Sequence, residues 1–257
     1  MEGLRQAAIA RHMTSGTKLW IEVTTSEHAH ERAALEFIRE RFPSREPFRA
    51  CANFTFIADD GTRNEVDLLV VSPTGVYLVE IKSYPGRIDG DAGTWIWTSP
   101  EGRQRTFDNP LLLAERKTKK LKSLLMRQRS LQGGRGGIDG FFLRSVVFLS
   151  DPGLIVGLNA PGRTDVFGPD PEDAEDANAR LPGLIKQLTR VDPGRGRQVD
   201  RPRSMAIAQA VETAGIREST THRHVGIYEL GSLLDEGEGW QDFAATHPEM
   251  PETQRRI

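Results

Sequence analysis

The sequence predicts an α/β fold, in which a mixed central sheet is flanked by helices and followed by a mainly helical C-terminal extension. Three observations lead there. Apolar residues recur at helical spacing over residues 31–42, strand-length apolar runs separated by turn residues continue to residue 107, and a lysine-rich helical segment then precedes an apolar run at 141–149.

Residues 1–15 read as a lead-in segment and 16–168 as the main domain. Ala34, Leu35, Ile38 and Phe42 share one stripe of the first helix, which Pro43 and Pro47 close. From Asn53 to Ala58, Phe54, Phe56 and Ala58 alternate as on a strand, and Asp59-Asp60-Gly61 turns the chain. Val66 to Val71 is nearly all apolar, as expected of a strand covered on both faces. Ser72-Pro73-Thr74-Gly75 is the next turn, and Val76 to Ile81 runs back beside the preceding strand. A strand pair follows around Trp95–Trp97 and Arg105–Phe107, then a long helix from Pro110 to about Arg129. Gln132 to Gly137 reads as a glycine-rich loop, and Phe141 to Leu149 as a buried strand ended by Asp151-Pro152-Gly153.

Residues 169–203 read as a connector, with five acids in 170–177, a short helix near 181–189 and a Pro/Gly/Arg-rich stretch at 192–203. The extension, 204–257, opens with a helix over 204–216; its tail carries Tyr228, Leu230, Leu233, Leu234 and Trp240, enough to dock but too little for its own core. The chain stops at Arg255-Arg256-Ile257 without a closing element, so a longer protein is expected.

Composition narrows the function classes. A formal charge of -2 over 257 residues argues against a protein that coats nucleic acid, so any DNA contact needs a local basic patch. Cys51 is the single cysteine, which excludes internal disulfides and a cysteine-based zinc site. No apolar run approaches the roughly 18 residues of a membrane span, and the expected location is the cytoplasm.

The chemistry is concentrated between Asn64 and Lys82. Asp67 lies on one strand, and Glu80 and Lys82 lie near the end of its neighbour. Side chains at i and i+2 share a strand face, so Glu80 and Lys82 point the same way while Ile81 faces the opposite core. Ionisable groups inside apolar strands are costly unless they serve each other or an ion. Mg²⁺ or Mn²⁺ resolves that cost: Asp67 and Glu80 supply carboxylates, the Ile81 carbonyl a third oxygen, and Lys82 handles the attacking water or the developing charge. The plainer alternative is a salt bridge at a hairpin end.

An acid, about a dozen residues, then Glu-x-Lys on an apolar strand resembles the signature of the PD-(D/E)xK nucleases. Glu65 to Val71, Gly75 to Lys82 and Pro85-Gly86-Arg87 resemble the nuclease-related domain, NERD, within that superfamily. The likeness extends to Trp95 and Trp97, to Asn109-Pro110 opening the lysine-rich helix, and to Val146-Val147-Phe148. Leu111-Leu112-Leu113 stands where many NERD proteins carry a glutamine. More narrowly, Glu31 to Leu35, Arg49 to Phe56 and Ser150 to Gly153 are similar to the N-terminal region of NERD-containing Ser/Thr kinases of phage-growth-limitation and BREX-type defence systems.

The resemblance implies a restriction-endonuclease-like sheet and a metal-dependent DNA endonuclease or nickase module of a bacterial anti-phage protein. Its implied partners are phage or plasmid DNA, other defence proteins and a second copy of itself, with no membrane. It also implies a kinase domain downstream; no kinase signature lies within these residues, so the chain is cut before that domain or is a related protein. Two other classes stay open: a catalytically silent DNA-binding or scaffold module, and a regulatory or dimerising module serving a kinase.

A first-helix glutamate often lies beside the metal in this superfamily, and Glu31 shares the stripe of Ala34, Leu35, Ile38 and Phe42. That makes Glu31 a fourth site residue, or else a helix-start carboxylate favoured by the dipole; Glu27 shares the stripe if the helix starts earlier. Arg116, Lys117, Lys119, Lys120 and Lys122 form either a DNA-backbone face or a solvated helix face. Lys117 differs, because it shares the stripe of Ala114, Leu121 and Leu125 and can reach inward. Trp95 and Trp97 read as packing rather than base stacking, His222 and His224 lack the company a zinc site needs, and Cys51 reads as a small buried apolar residue.

Overall fold

Val, Leu and Phe crowd the runs between residues 49 and 82, and such side chains pack well on a pleated surface. The computed structural model describes residues 19–26, 28–132, 142–170, 181–190, 199–218, 224–225, 227–237 and 240–257. Strand β1 (Trp20–Glu22) leads into helix α1 (Ala29–Arg41) and the strands β2 (Arg49–Ile57), β3 (Arg63–Ser72) and β4 (Gly75–Lys82). Three short strands, β5 (Arg87–Gly90), β6 (Thr94–Thr98) and β7 (Gln104–Asp108), precede α2 (Pro110–Met126). Then come β8 (Leu143–Leu149), β9 (Ile155–Leu158), β10 (Val166–Phe167), α3 (Leu184–Thr189), α4 (Arg201–Thr213) and β11 (Arg217–Glu218).

The main sheet has seven strands in the order β1-β2-β3-β4-β8-β10, with β11 paired to β2. Strands β2, β3 and β4 form an antiparallel meander, whereas β8 runs parallel to β4. A parallel neighbour requires a crossover, and α2 lies in it. Helix, three-stranded meander, helix and parallel strand make the arrangement restriction-endonuclease-like.

Alternation along the strands splits the core in two. Leu69, Val71, Val76 and Leu78 pack with Ala114, Leu121 and Leu125 of α2 and Ile207, Ala210 and Val211 of α4. Leu68, Val70, Val79 and Ile81 pack with Ala34, Leu35 and Ile38 of α1 and Leu184 and Leu188 of α3. A smaller sheet, ordered β7-β6-β5-β9, is built largely from the segment between β4 and α2. Its Ile88 and Trp95 pack with Val147 and Leu149 of β8.

Helix α2 is held at two points. Asn109 caps it, its side chain accepting from the Leu111 N–H at 2.9 Å and donating to the Ala92 carbonyl at 3.1 Å. Further along, Ser145 of β8 donates to the buried Thr118 hydroxyl at 3.0 Å. Helix α4 is tied to the start of β2, because Arg49 Nε donates to Ser204 Oγ at 3.1 Å and that hydroxyl donates to the Pro47 carbonyl at 2.7 Å.

Residues 219–257 form a second compact unit. The expected mainly helical extension is corrected here: α4 is helical, but β12 (His224–Val225), β13 (Tyr228–Gly237), β14 (Trp240–His247) and β15 (Met250–Arg256) form an antiparallel four-stranded sheet. Gly231 and Gly237 disfavour a continuous helix, and Gly237 opposite Trp240 and His247 opposite Met250 leave room only for two-residue connections. Strands β1, β5, β9, β10 and β11 add to those expected from the sequence. The lead-in, most of the glycine-rich loop, the acidic stretch at 171–177 and His222 lie outside the described residues. No helix among the described residues is long and apolar enough to cross a membrane.

Leu121 is fully buried while Leu113, on the same helix, is 41% exposed. Leu121→Ala is expected to cost about 2–5 kcal/mol of unfolding free energy in urea, against less than about 0.5 kcal/mol for Leu113→Ala.

Candidate active site

The β3–β4 ladder pairs Leu68 with Val79 as its last step towards the site. Just beyond it, Asp67 Oδ2 accepts the Ile81 backbone N–H at 2.7 Å, so a carboxylate bridges the two strands. The even-numbered positions of β4 face α2. Glu80 therefore points between sheet and helix, 2% exposed, and Ile81 packs into the opposite core as expected.

Glu80 is paired on both oxygens. Lys82 Nζ lies 3.1 Å from Oε1, and Lys117 Nζ lies 2.8 Å from Oε2. Desolvation opposes ionisation of Glu80, but the ammoniums of Lys117 and Lys82 outweigh it and hold its carboxyl below the usual range. Conversely, burial disfavours both ammoniums, yet Glu80 and then Asp67 raise the pKa of Lys82 and of Lys117 above the usual lysine value. Asp67 behaves oppositely: burial, followed by the negative charge of Glu80, pushes its carboxyl up to about 8.

Glu31, near the start of α1, is half-buried and its carboxyl is raised, chiefly by burial, with a Ser26 hydrogen bond opposing and Glu65 reinforcing the shift. Its charge also acts on Asp67, so α1 contributes to the same electrostatic cluster. Glu27 lies outside the described residues.

Sequence reasoning missed Ser26, His28, His30 and Glu65. The imidazoles of His28 and His30 are stacked with centroids 5.6 Å apart. Burial, then His28 and Lys82, lower the His30 pKa, which places the ring near the site lysine. The available signals were two histidines just before Glu31, and Glu65 two positions from Asp67 on the same strand face.

The basic helix separates into distinct roles. Lys117 turns inward to Glu80, whereas Lys120 Nζ bridges Asp60 at 2.8 Å and Thr62 Oγ1 at 2.7 Å on the β2–β3 turn. Arg116, Lys119 and Lys122 are exposed. Trp95 is core, and Trp97 donates its indole N–H to the Pro85 carbonyl at 2.8 Å. Burial pushes the Cys51 thiol up to about 12, so it behaves as an apolar residue.

Among the described residues, no group of three or more His, Cys, Asp or Glu side chains is arranged to hold a metal ion. The Asp67–Glu80 pair nevertheless has suitable donor chemistry. Burial first, and then the charge of Glu80, raise the Asp67 carboxyl, and a divalent cation between the two groups would stabilise both as carboxylates.

Residues 26–150 match the nuclease-related domain, NERD. Over 237 residues, 92% of its length, the chain is 38% identical to "Probable kinase PglW" of Streptomyces coelicolor. That match takes in 14% of the relative, so the chain spans only a small part of it. No solved structure matches.

A carboxyl raised from 3.8 to about 8 on folding costs stability as pH rises through that window, because the native state must give up a proton it holds tightly. In EDTA, Asp67→Asn removes this penalty. Its gain in Tm is expected to be larger at pH 8 than at pH 5 by about 2 °C or more; equal gains at both pH values would contradict the raised carboxyl.

Proposed function

We propose that residues 16–168 are a metal-dependent DNA endonuclease or nickase module of an anti-phage defence protein. The observation that carries this reading is the convergence of Asp67, Glu80 and Lys82 where the β3–β4 ladder stops. Asp67 and Glu80, with the Ile81 carbonyl, would hold Mg²⁺ or Mn²⁺. Bound there, the ion would polarise the phosphodiester and acidify a water.

The protein's own groups account for the rest. Lys82, half-exposed beside Glu80, is the ammonium available to orient the attacking water or stabilise charge on the phosphate. Glu31 adds negative charge next to Asp67 and favours the cation. Arg116, Lys119 and Lys122 supply a solvent-facing patch for the DNA backbone. Lys120 borders it from its ion pair with Asp60.

A second reading is favoured by the likeness to a protein named as a probable kinase. In it, this module regulates, dimerises or scaffolds a kinase, with or without cleavage. Other defence proteins would then be its partners, in the cytoplasm.

Supercoiled plasmid incubated with Mg²⁺, Mn²⁺ or EDTA separates these classes. Wild type is expected to nick with metal only, and Lys82→Ala to lose about 10²-fold or more. Equal activity in both would place the chemistry elsewhere; no activity in either, with DNA binding retained, would favour the scaffold. In a separate binding assay, the triple reversal Arg116→Glu, Lys119→Glu, Lys122→Glu is expected to weaken DNA binding and flatten its dependence on log[salt] by roughly 2–3. An unchanged slope would remove this face from the interface.

A further inference from the structure

Glu80 needs one positive charge for neutrality and receives two ammoniums. Lys82 belongs to the Glu-x-Lys pattern and its side chain is 36% exposed. Lys117 arrives from a separate element, and its side chain is 11% exposed. A lysine that merely solvates a helix does not bury its ammonium against a sheet carboxylate, since such burial costs desolvation unless a partner compensates it.

The fold holds Lys117 there. On the same stripe Ala114 and Leu121 are fully buried, and the next residue, Thr118, is hydrogen-bonded to Ser145 of β8. Strand β8 runs beside β4 in a register that sets Val147 opposite Glu80. Helix, parallel strand and Glu80 are thus one packed unit, whereas Lys119 and Lys122 on the same helix face solvent.

From this geometry we infer that Lys117 is the resident counter-ion of the metal pocket. It neutralises Glu80 when no divalent ion is present, and an ion entering between Asp67 and Glu80 must displace its ammonium from Glu80 Oε2. The inference rests on the metal-dependent reading above. An ammonium and a dication on one carboxylate repel each other at a distance where protein dielectric screens poorly. The pocket therefore binds a lone divalent ion weakly, and the displaced ammonium becomes available to a substrate phosphate.

Mn²⁺ titration of the full chain, read from the electron paramagnetic resonance of free Mn²⁺, tests this without any cleavage assay. Lys117→Met is expected to bind Mn²⁺ about tenfold more tightly than wild type or more, while Lys117→Arg and Lys186→Met stay within about twofold. Equal or weaker binding by Lys117→Met overturns the inference while leaving the metal-dependent reading in place. Absence of Mn²⁺ binding in wild type and all variants overturns both. Should Lys117→Met fail to fold, wild type decides through its lysine ammonium ¹H–¹⁵N spectrum, with the Lys117 signal assigned by its loss in Lys117→Arg. That signal must shift as Mg²⁺ saturates the protein, and an unmoved signal with Mg²⁺ bound overturns the inference.

Discussion

The burial of the Glu80 carboxylate inside the sheet–helix sandwich is the constraint on which the surrounding architecture depends. An ionised carboxylate with almost no solvent contact is tolerable only when cations and hydrogen bonds replace its water. Two elements answer that demand: β4 itself through Lys82, and α2 through Lys117. The Asn109 cap and the Thr118–Ser145 contact hold α2 where its lysine can reach, so ordinary helix anchoring also serves the electrostatics of the site.

The same region shows how the end of one ladder gathers charged side chains. Antiparallel pairing of β3 and β4 proceeds as far as Leu68 and Val79, and then a side chain takes over from the ladder. The N–H of Ile81 is satisfied by Asp67, which leaves the carboxylates of the two strands close enough to repel. The repulsion falls unequally. Glu80, with both ammoniums against it, stays ionised; Asp67, raised by burial and then by the charge of Glu80, holds its proton to higher pH. A divalent cation between the two carboxylates would remove that inequality.

The central motif was legible because strand geometry has a period of two. Glu80, Ile81 and Lys82 had to alternate, and a hairpin at residues 72–75 had to return Asp67 towards them. Helical periodicity likewise separated Lys117 from its basic neighbours, although it could not say that a carboxylate rather than a phosphate would meet it. Lys120 was less legible, since its partner Asp60 lies far away in sequence. His28, His30 and Glu65 carry no periodic signal that marks a site. The C-terminal tail misled because its leucines offer little pattern over a short stretch, and backbone pairing between strands, rather than local propensity, decides such a segment.

By itself, then, the sequence determined the α/β class, the meander, the crossover helix and the acid–Glu–Lys trio, because each follows from local periodicity and turn chemistry. Tertiary structure alone decided that Glu80 receives a second ammonium, that Asp67 rather than Glu80 is the carboxyl forced towards protonation, and that the tail pairs as strands. Those outcomes depend on distances between groups remote in the chain and on how much water remains between them. Neither quantity is written in residue order.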